Sequence, residues 1–184
     1  MASEKKIICI PEYNNKKRFL LGKKGTKELL AIALNPSTAN ESKLDSTSRN
    51  IETIAYMNNC DGWWLINLYP MRSSKPKFLP KKANEKLAKE NYLFIKNMTC
   101  NLSFHFSKIL CCWGNKVDLH LYLKKYGIEI IKLLEKLQIP IKYLGTTKNG
   151  NPTHPSPMAT NIIFGGIKNI TLLDLKADEK YSST

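Results

Sequence analysis

Three apolar runs constrain this chain more than any other feature: Leu29-Leu30-Ala31-Ile32-Ala33-Leu34, Trp63-Trp64-Leu65-Ile66 and Ile109-Leu110-Cys111-Cys112-Trp113. None alternates apolar with polar residues, so a strand built from any of them has to be covered on both faces. That is the mark of a mainly parallel sheet packed between helices. Amphipathic segments stand between the runs. Residues 48–58 carry Ile51, Ile54, Ala55 and Met57 at helical spacing, and residues 84–104 read as a second helix. Residues 119–137 place Leu121, Tyr122, Ile128, Ile131, Leu134 and Leu137 on one broad stripe despite Gly127. Residues 6–13 and 18–21 suggest an opening pair of short strands, and residues 141–144 a last one. The predicted architecture is therefore α/β, three layers (α/β/α) around a central, mainly parallel sheet of about four strands plus the short N-terminal strands. One domain is expected over residues 1–175, with a flexible C-terminal tail over 176–184.

In such a sheet the functional crevice lies beyond the carboxyl ends of the strands. Two stiff turns stand at such ends. Asn35-Pro36-Ser37-Thr38 follows the first run, and Thr153-His154-Pro155-Ser156-Pro157-Met158 follows the last strand, its histidine held by adjoining prolines. Taken singly, each has a plain structural reading. The first can be a helix-capping turn, since Ser, Thr and Asn favour that position, and the second a rigid surface loop. Likewise Asp45, Thr47 and Arg49 can mark a helix start capped at Ser46 or Thr47, with Asp45 favourable near the positive helix end.

Charge narrows the partners. The chain of 184 residues has 29 Lys plus Arg against 15 Asp plus Glu, a formal net charge of +14, which points to a polyanion. Nearly all of these cations are lysines scattered along the chain, which solubility alone also explains. Arginine, the better bidentate ligand for phosphate or guanine, occurs only at Arg18, Arg49 and Arg72. Five cysteines, Cys9, Cys60, Cys100, Cys111 and Cys112, lack zinc-like spacing and read as reduced, buried thiols, with Cys111 and Cys112 on opposite faces of a strand. No metal or cofactor is expected. The lack of a signal or long apolar span leads to the expectation of a cytoplasmic protein that does not enter membranes.

Two resemblances rest on motifs in order. Arg18-Phe19-Leu20-Leu21, Asn35 to Ala39, Asp45-Ser46-Thr47, Asn67-Leu68, Trp113-Gly114 and Gly150-Asn151-Pro152-Thr153-His154-Pro155 resemble the uncharacterised bacterial and phage domain-of-unknown-function family 1643, over most of the chain. Leu34-Asn35-Pro36, Ile66-Asn67, Trp113-Gly114 and His154-Pro155-Ser156-Pro157-Met158 are similar in order to the uracil-DNA glycosylase superfamily. The second resemblance implies a uracil-DNA glycosylase-like fold and a DNA-binding protein, either a weak N-glycosidic hydrolase or an inactive module that binds DNA or a protein. An enzyme acting on a free modified nucleotide, in phage or mobile-element DNA metabolism, is the further alternative.

The glycosylase resemblance implies roles by position. Asn35 would place the attacking water and His154 would stabilise the leaving base. Asn67 would read the base through both halves of its amide, and Tyr69, or else Trp63 or Trp64, would supply the aromatic face that residues 38–50 lack. Pro36, Ser37, Pro155, Ser156, Arg72 and Lys148 would contact DNA, and Met158 would wedge into the space of the flipped base. Asp45, Thr47 and Arg49 are candidate substrate contacts. The implied partners are DNA and a protein partner or inhibitor that recognises the DNA-binding cleft. Asn35 departs from the aspartate of the fast enzymes, so any activity is expected to be slow.

Overall fold

The computed structural model describes residues 6–174; the expected tail over 176–184 lies outside them. Its elements are β1 (Ile8–Ile10), β2 (Leu20–Lys23), β3 (Glu28–Ala33), α1 (Ser46–Met57), β4 (Gly62–Asn67), α2 (Glu85–Thr99), β5 (Phe106–Cys111), α3 (Leu121–Glu135), β6 (Ile141–Tyr143), α4 (Pro157–Ile162) and β7 (Leu173–Asp174). They form an α/β fold with one mixed seven-stranded sheet in the order β1-β2-β4-β3-β5-β6-β7. The four strands at its centre, β4, β3, β5 and β6, are parallel; β1, β2 and β7 flank them antiparallel.

The apolar runs explain this burial. Every residue of β3 and β4 is buried, and successive side chains serve opposite faces as strand geometry requires. Leu30, Ile32, Trp64, Ile66, Ile109 and Cys111 join one core with Ile95 and Met98 of α2 and Leu123, Ile130 and Leu134 of α3. Leu29, Ala31, Ala33, Trp63, Leu65, Leu110 and Cys112 join the other with Ile51, Ile54 and Ala55 of α1. Cys111 and Cys112 do divide between the faces, each free and buried, whereas Cys100 is a free thiol exposed after α2, because the helix ends there.

The sheet is larger than the four central strands and opening pair read from the sequence. β7 has two residues, too few for any periodicity to show, and α4 begins within the segment taken for a stiff loop, with Ser156 as its cap and Pro157 at its first position. Leu121, assigned to the buried stripe of α3, is 86% exposed because it opens the helix outside the packed turns. The N-cap of α1 is Asp45 itself, accepting from the backbone N–H of Ser48, rather than Ser46 or Thr47.

β3 and β5 begin on a buried carboxylate. Glu28 is fully buried and accepts from the backbone N–H groups of Gly25 (3.0 Å) and His105 (2.7 Å). Glu28→Ala leaves both donors without a partner and is expected to lower the unfolding free energy by roughly 2–5 kcal/mol, read from urea melts of the two proteins.

Candidate functional site

β3 and β5 are neighbours whose connections leave in opposite directions, to β4 on one side and β6 on the other. Beyond the carboxyl ends of these strands the chain leaves a crevice, as open α/β sheets do at such a switch point. A cavity of about 530 Å³ lies there, lined by Ala33 at the end of β3, Leu34 and Asn35 after it, Asn67 at the end of β4, Trp113 and Gly114 after β5, and His154 after β6. Asp45, Ser46 and Thr47 enter it from the start of α1. Asn35, Asn67 and His154, which lie far apart in the sequence, thus share one cavity.

The Asn35 turn is fixed by its own side chain. Asn35 Nδ2 donates to the carbonyls of Pro36 (2.9 Å) and Ser73 (2.8 Å), so what its amide still offers is the acceptor Oδ1. The turn is not a helix cap; it is held by Ser73 N–H on Pro36 O and by Arg72 Nη1 on the carbonyls of Ser37 and Ala39.

The His154 loop is pinned at several points. Gly114 N–H donates to Pro152 O and Thr153 N–H to Gly145 O, while Asn50 Nδ2 of α1 donates to Pro155 O (2.9 Å). Gly114 has φ 71, and a Cβ there would stand 2.9 Å from that of His154, so glycine is what lets the end of β5 meet this loop. Burial lowers the His154 pKa below its usual 6.5, and the charge of Asp45 opposes the shift. The imidazole is therefore neutral at pH 7, one nitrogen donor and the other acceptor.

Asn67 differs most from its sequence reading. Its side chain is 1% exposed, and Oδ1 accepts from Nη2 of Arg18 at 3.3 Å. Because a guanidinium only donates, the amide has to turn its oxygen to Arg18, leaving Nδ2 as the half still free to donate. Nδ2 has no hydrogen-bond partner. Asn67 therefore presents Nδ2 as its unpaired donor, while Oδ1 is already engaged by Arg18.

Arg18, which the sequence marks only by a motif and by the scarcity of arginine, lines the cavity. It is 2% exposed, with Nη1 on Ala39 O at 2.9 Å and Nε without a partner. Burial, with the like charge of Arg72, lowers its pKa to about 10, still charged at neutral pH. The rarity of arginine in a lysine-rich chain was the one available signal. Lys116, also lining the cavity, carried none.

The other assigned residues divide. Ser37, Asp45, Thr47 and Ser156 line the cavity, though Ser156 Oγ also accepts from Ala159 N–H as the cap of α4. Pro36 and Pro155 are buried behind it. Arg72 lines an adjoining groove that shares Ser37, Ser73 and Ser74 with the cavity. Arg49 lies outside, exposed, its Nη1 on Leu44 O at 2.6 Å; Lys148 stands on an exposed turn; and Met158 is 71% exposed on α4. Tyr69 is not at the cavity: it is fully buried against Tyr122 and Tyr126, and its hydroxyl accepts from Asn84 N–H. Its position two residues past β4 sends the ring into the core between the sheet and α3. Trp63 and Trp64 are core residues too, and the aromatic wall of the cavity is Trp113.

Among the described residues no group of three or more His, Cys, Asp or Glu is placed to hold a metal ion, and no helix is long and apolar enough to cross a membrane. A family model described as "Protein of unknown function (DUF1643)" matches residues 18–156, a span that holds Arg18, Asn35, Asn67 and His154. No curated protein and no solved structure matches.

The depressed His154 pKa has a sign. The unfolded chain takes up a proton near pH 6.5 that the folded state resists, so stability is complete above that pH and is lost as pH falls toward the lower folded pKa. Melting temperatures taken between about pH 7.5 and pH 5.5 should fall more steeply for the parent than for His154→Gln, which removes the titrating group.

Proposed function

The chain belongs to that family of unknown function, and from its cavity we propose a uracil-DNA glycosylase-like protein that binds DNA and hydrolyses, slowly, the N-glycosidic bond of a flipped pyrimidine. The observation that carries this reading is the meeting of Asn35, Asn67 and His154 in one cavity of about 530 Å³ at the carboxyl ends of the parallel strands. That volume suits one base with its sugar. Helices on both faces of the parallel strands agree with a three-layer arrangement of that kind.

In the proposed reaction a water oxygen attacks C1′ of the sugar, the C1′–N bond breaks, and its electron pair leaves with the base. The neutral His154 donates to the base carbonyl on which that charge collects, preorganised by the prolines and by Gly114. Asn67 Nδ2 donates to a second acceptor on the base, and Trp113 provides an aromatic wall. Asn35 Oδ1 orients the water but accepts no proton, which passes to solvent and so keeps the rate low. Exposed Met158 and Ile162 on α4, with Ile163 just past its end, give an apolar surface beside the cavity where a wedge is wanted. The formal charge of +14 supplies a salt-sensitive attraction to the phosphate backbone.

A second reading, an enzyme acting on a free modified nucleotide, is favoured by Asp45 and Thr47, which line the same cavity close to Ser37 and Ser46.

The test is incubation of excess protein with single- and double-stranded oligonucleotides carrying uracil, mismatched thymine or modified pyrimidines, followed by alkaline cleavage at abasic sites. Cleavage abolished by His154→Ala, with DNA affinity retained, is the expected result. No abasic site on any substrate removes the hydrolase, and base release from free deoxynucleotides alone moves the assignment to the second reading. Asn35→Asp is not expected to accelerate the reaction, because a carboxylate would face the carbonyls of Pro36 and Ser73 that now accept from Nδ2. It should instead lower the melting temperature by several degrees, in line with roughly 1–3 kcal/mol for broken buried hydrogen bonds.

A further inference from the structure

The donors at the Arg18 side of the cavity are not balanced by acceptors. Arg18 carries five N–H groups. One bond goes from Nη1 to Ala39 O and one from Nη2 to Asn67 Oδ1, while Nε has no partner. Asn67 Nδ2 beside it has none either. Among the described residues no carboxylate forms an ion pair with Arg18; Asp45, whose charge favours the guanidinium, lines the cavity but its Oδ1 is spent on Ser48. The charged residues lining the cavity are Arg18 and Lys116 against Asp45, a surplus of one cation.

A buried cation without a counter-charge is costly, and proteins keep one where a ligand completes it. An arginine fork beside an amide donor matches a group with two or more acceptor oxygens in fixed geometry. The first turn of α1, at Ser46 and Thr47, adds the positive end of a helix to the same cavity. We propose that Arg18 and Asn67 form a seat for an oxyanion carried by the ligand, a phosphate or a carboxylate, so that the cavity takes an acidic small molecule or an acidic group on a nucleotide rather than a neutral base alone.

This goes beyond the proposed hydrolysis and does not need it. Seat and reaction fail separately: bare oxyanions report on the seat without any base being cut, and base release with no oxyanion response would keep the hydrolase and discard the seat.

The experiment measures the melting temperature of the full chain at constant ionic strength, with inorganic phosphate, acetate, thymidine or thymidine monophosphate, for the parent, Asn67→Asp and Arg18→Gln. The parent should be stabilised progressively by phosphate or acetate, the stronger of the two naming the ligand's group, and by the monophosphate more than by thymidine. Asn67→Asp keeps the acceptor for Arg18 and supplies the missing negative charge from within. It should melt above the parent without added anion and lose the response, with half-saturation at least ten-fold higher. Arg18→Gln, whatever its own melting temperature, should lose the response as well. A response of equal size in either variant would mean that surface lysines bind the anion, and overturns the seat. So does a parent that responds to neither oxyanion, or an Asn67→Asp protein that melts below the parent.

Discussion

The stretch between β3 and α1 supplies Leu34, Asn35, Ser37 and Asp45 to the cavity and has no regular structure of its own, so its shape depends on where its carbonyl groups find donors. All three arginines of the chain answer that need. Arg18 donates to Ala39 O, Arg72 to Ser37 O and Ala39 O, and Arg49 to Leu44 O. Backbone carbonyls withdrawn from water must be paired, and a rigid fork of donors on a long stem can reach two of them at once. Lysine, with one compact ammonium, would hold such a loop less firmly. The rest of the site follows from this loop: Asn35 is aimed by it, Asp45 starts α1 at its end, and Asn50 of α1 then clamps Pro155 beside His154.

Much of the fold was legible because the apolar runs are long and unbroken. Runs of that kind leave few places for a strand other than the middle of a parallel sheet, and β3, β4 and β5 lie there. The turn residues at their ends likewise told where Asn35, Asn67 and His154 would meet. What stayed hidden had no periodic or compositional trace. β7 is too short to show a pattern. Tyr69 follows Asn67 by two positions, but the chain turns after β4, and the next aromatic packs into a tyrosine cluster that sequence spacing does not foretell. Arg18 was given no role from the sequence for a different reason. Its rarity marked it, but rarity does not say whether a cation faces solvent or sits at the bottom of a cavity; that depends on β2 lying next to β4, a pairing between segments more than forty residues apart.

The same contrast separates two kinds of charge in this protein. Lysines give most of the excess of +14, and in salt such charges act over about 8 Å, a field without fixed direction. Arg18 is one charge among 29, yet it is almost wholly buried and its unused donors have fixed directions. A field of the first kind changes how often a ligand arrives; a buried, directed donor changes which ligand stays. The proposed oxyanion seat therefore depends on the pairing of Arg18 with Asn67 far more than on net charge, because that pairing turns the amide and leaves Nδ2 as the unpaired donor.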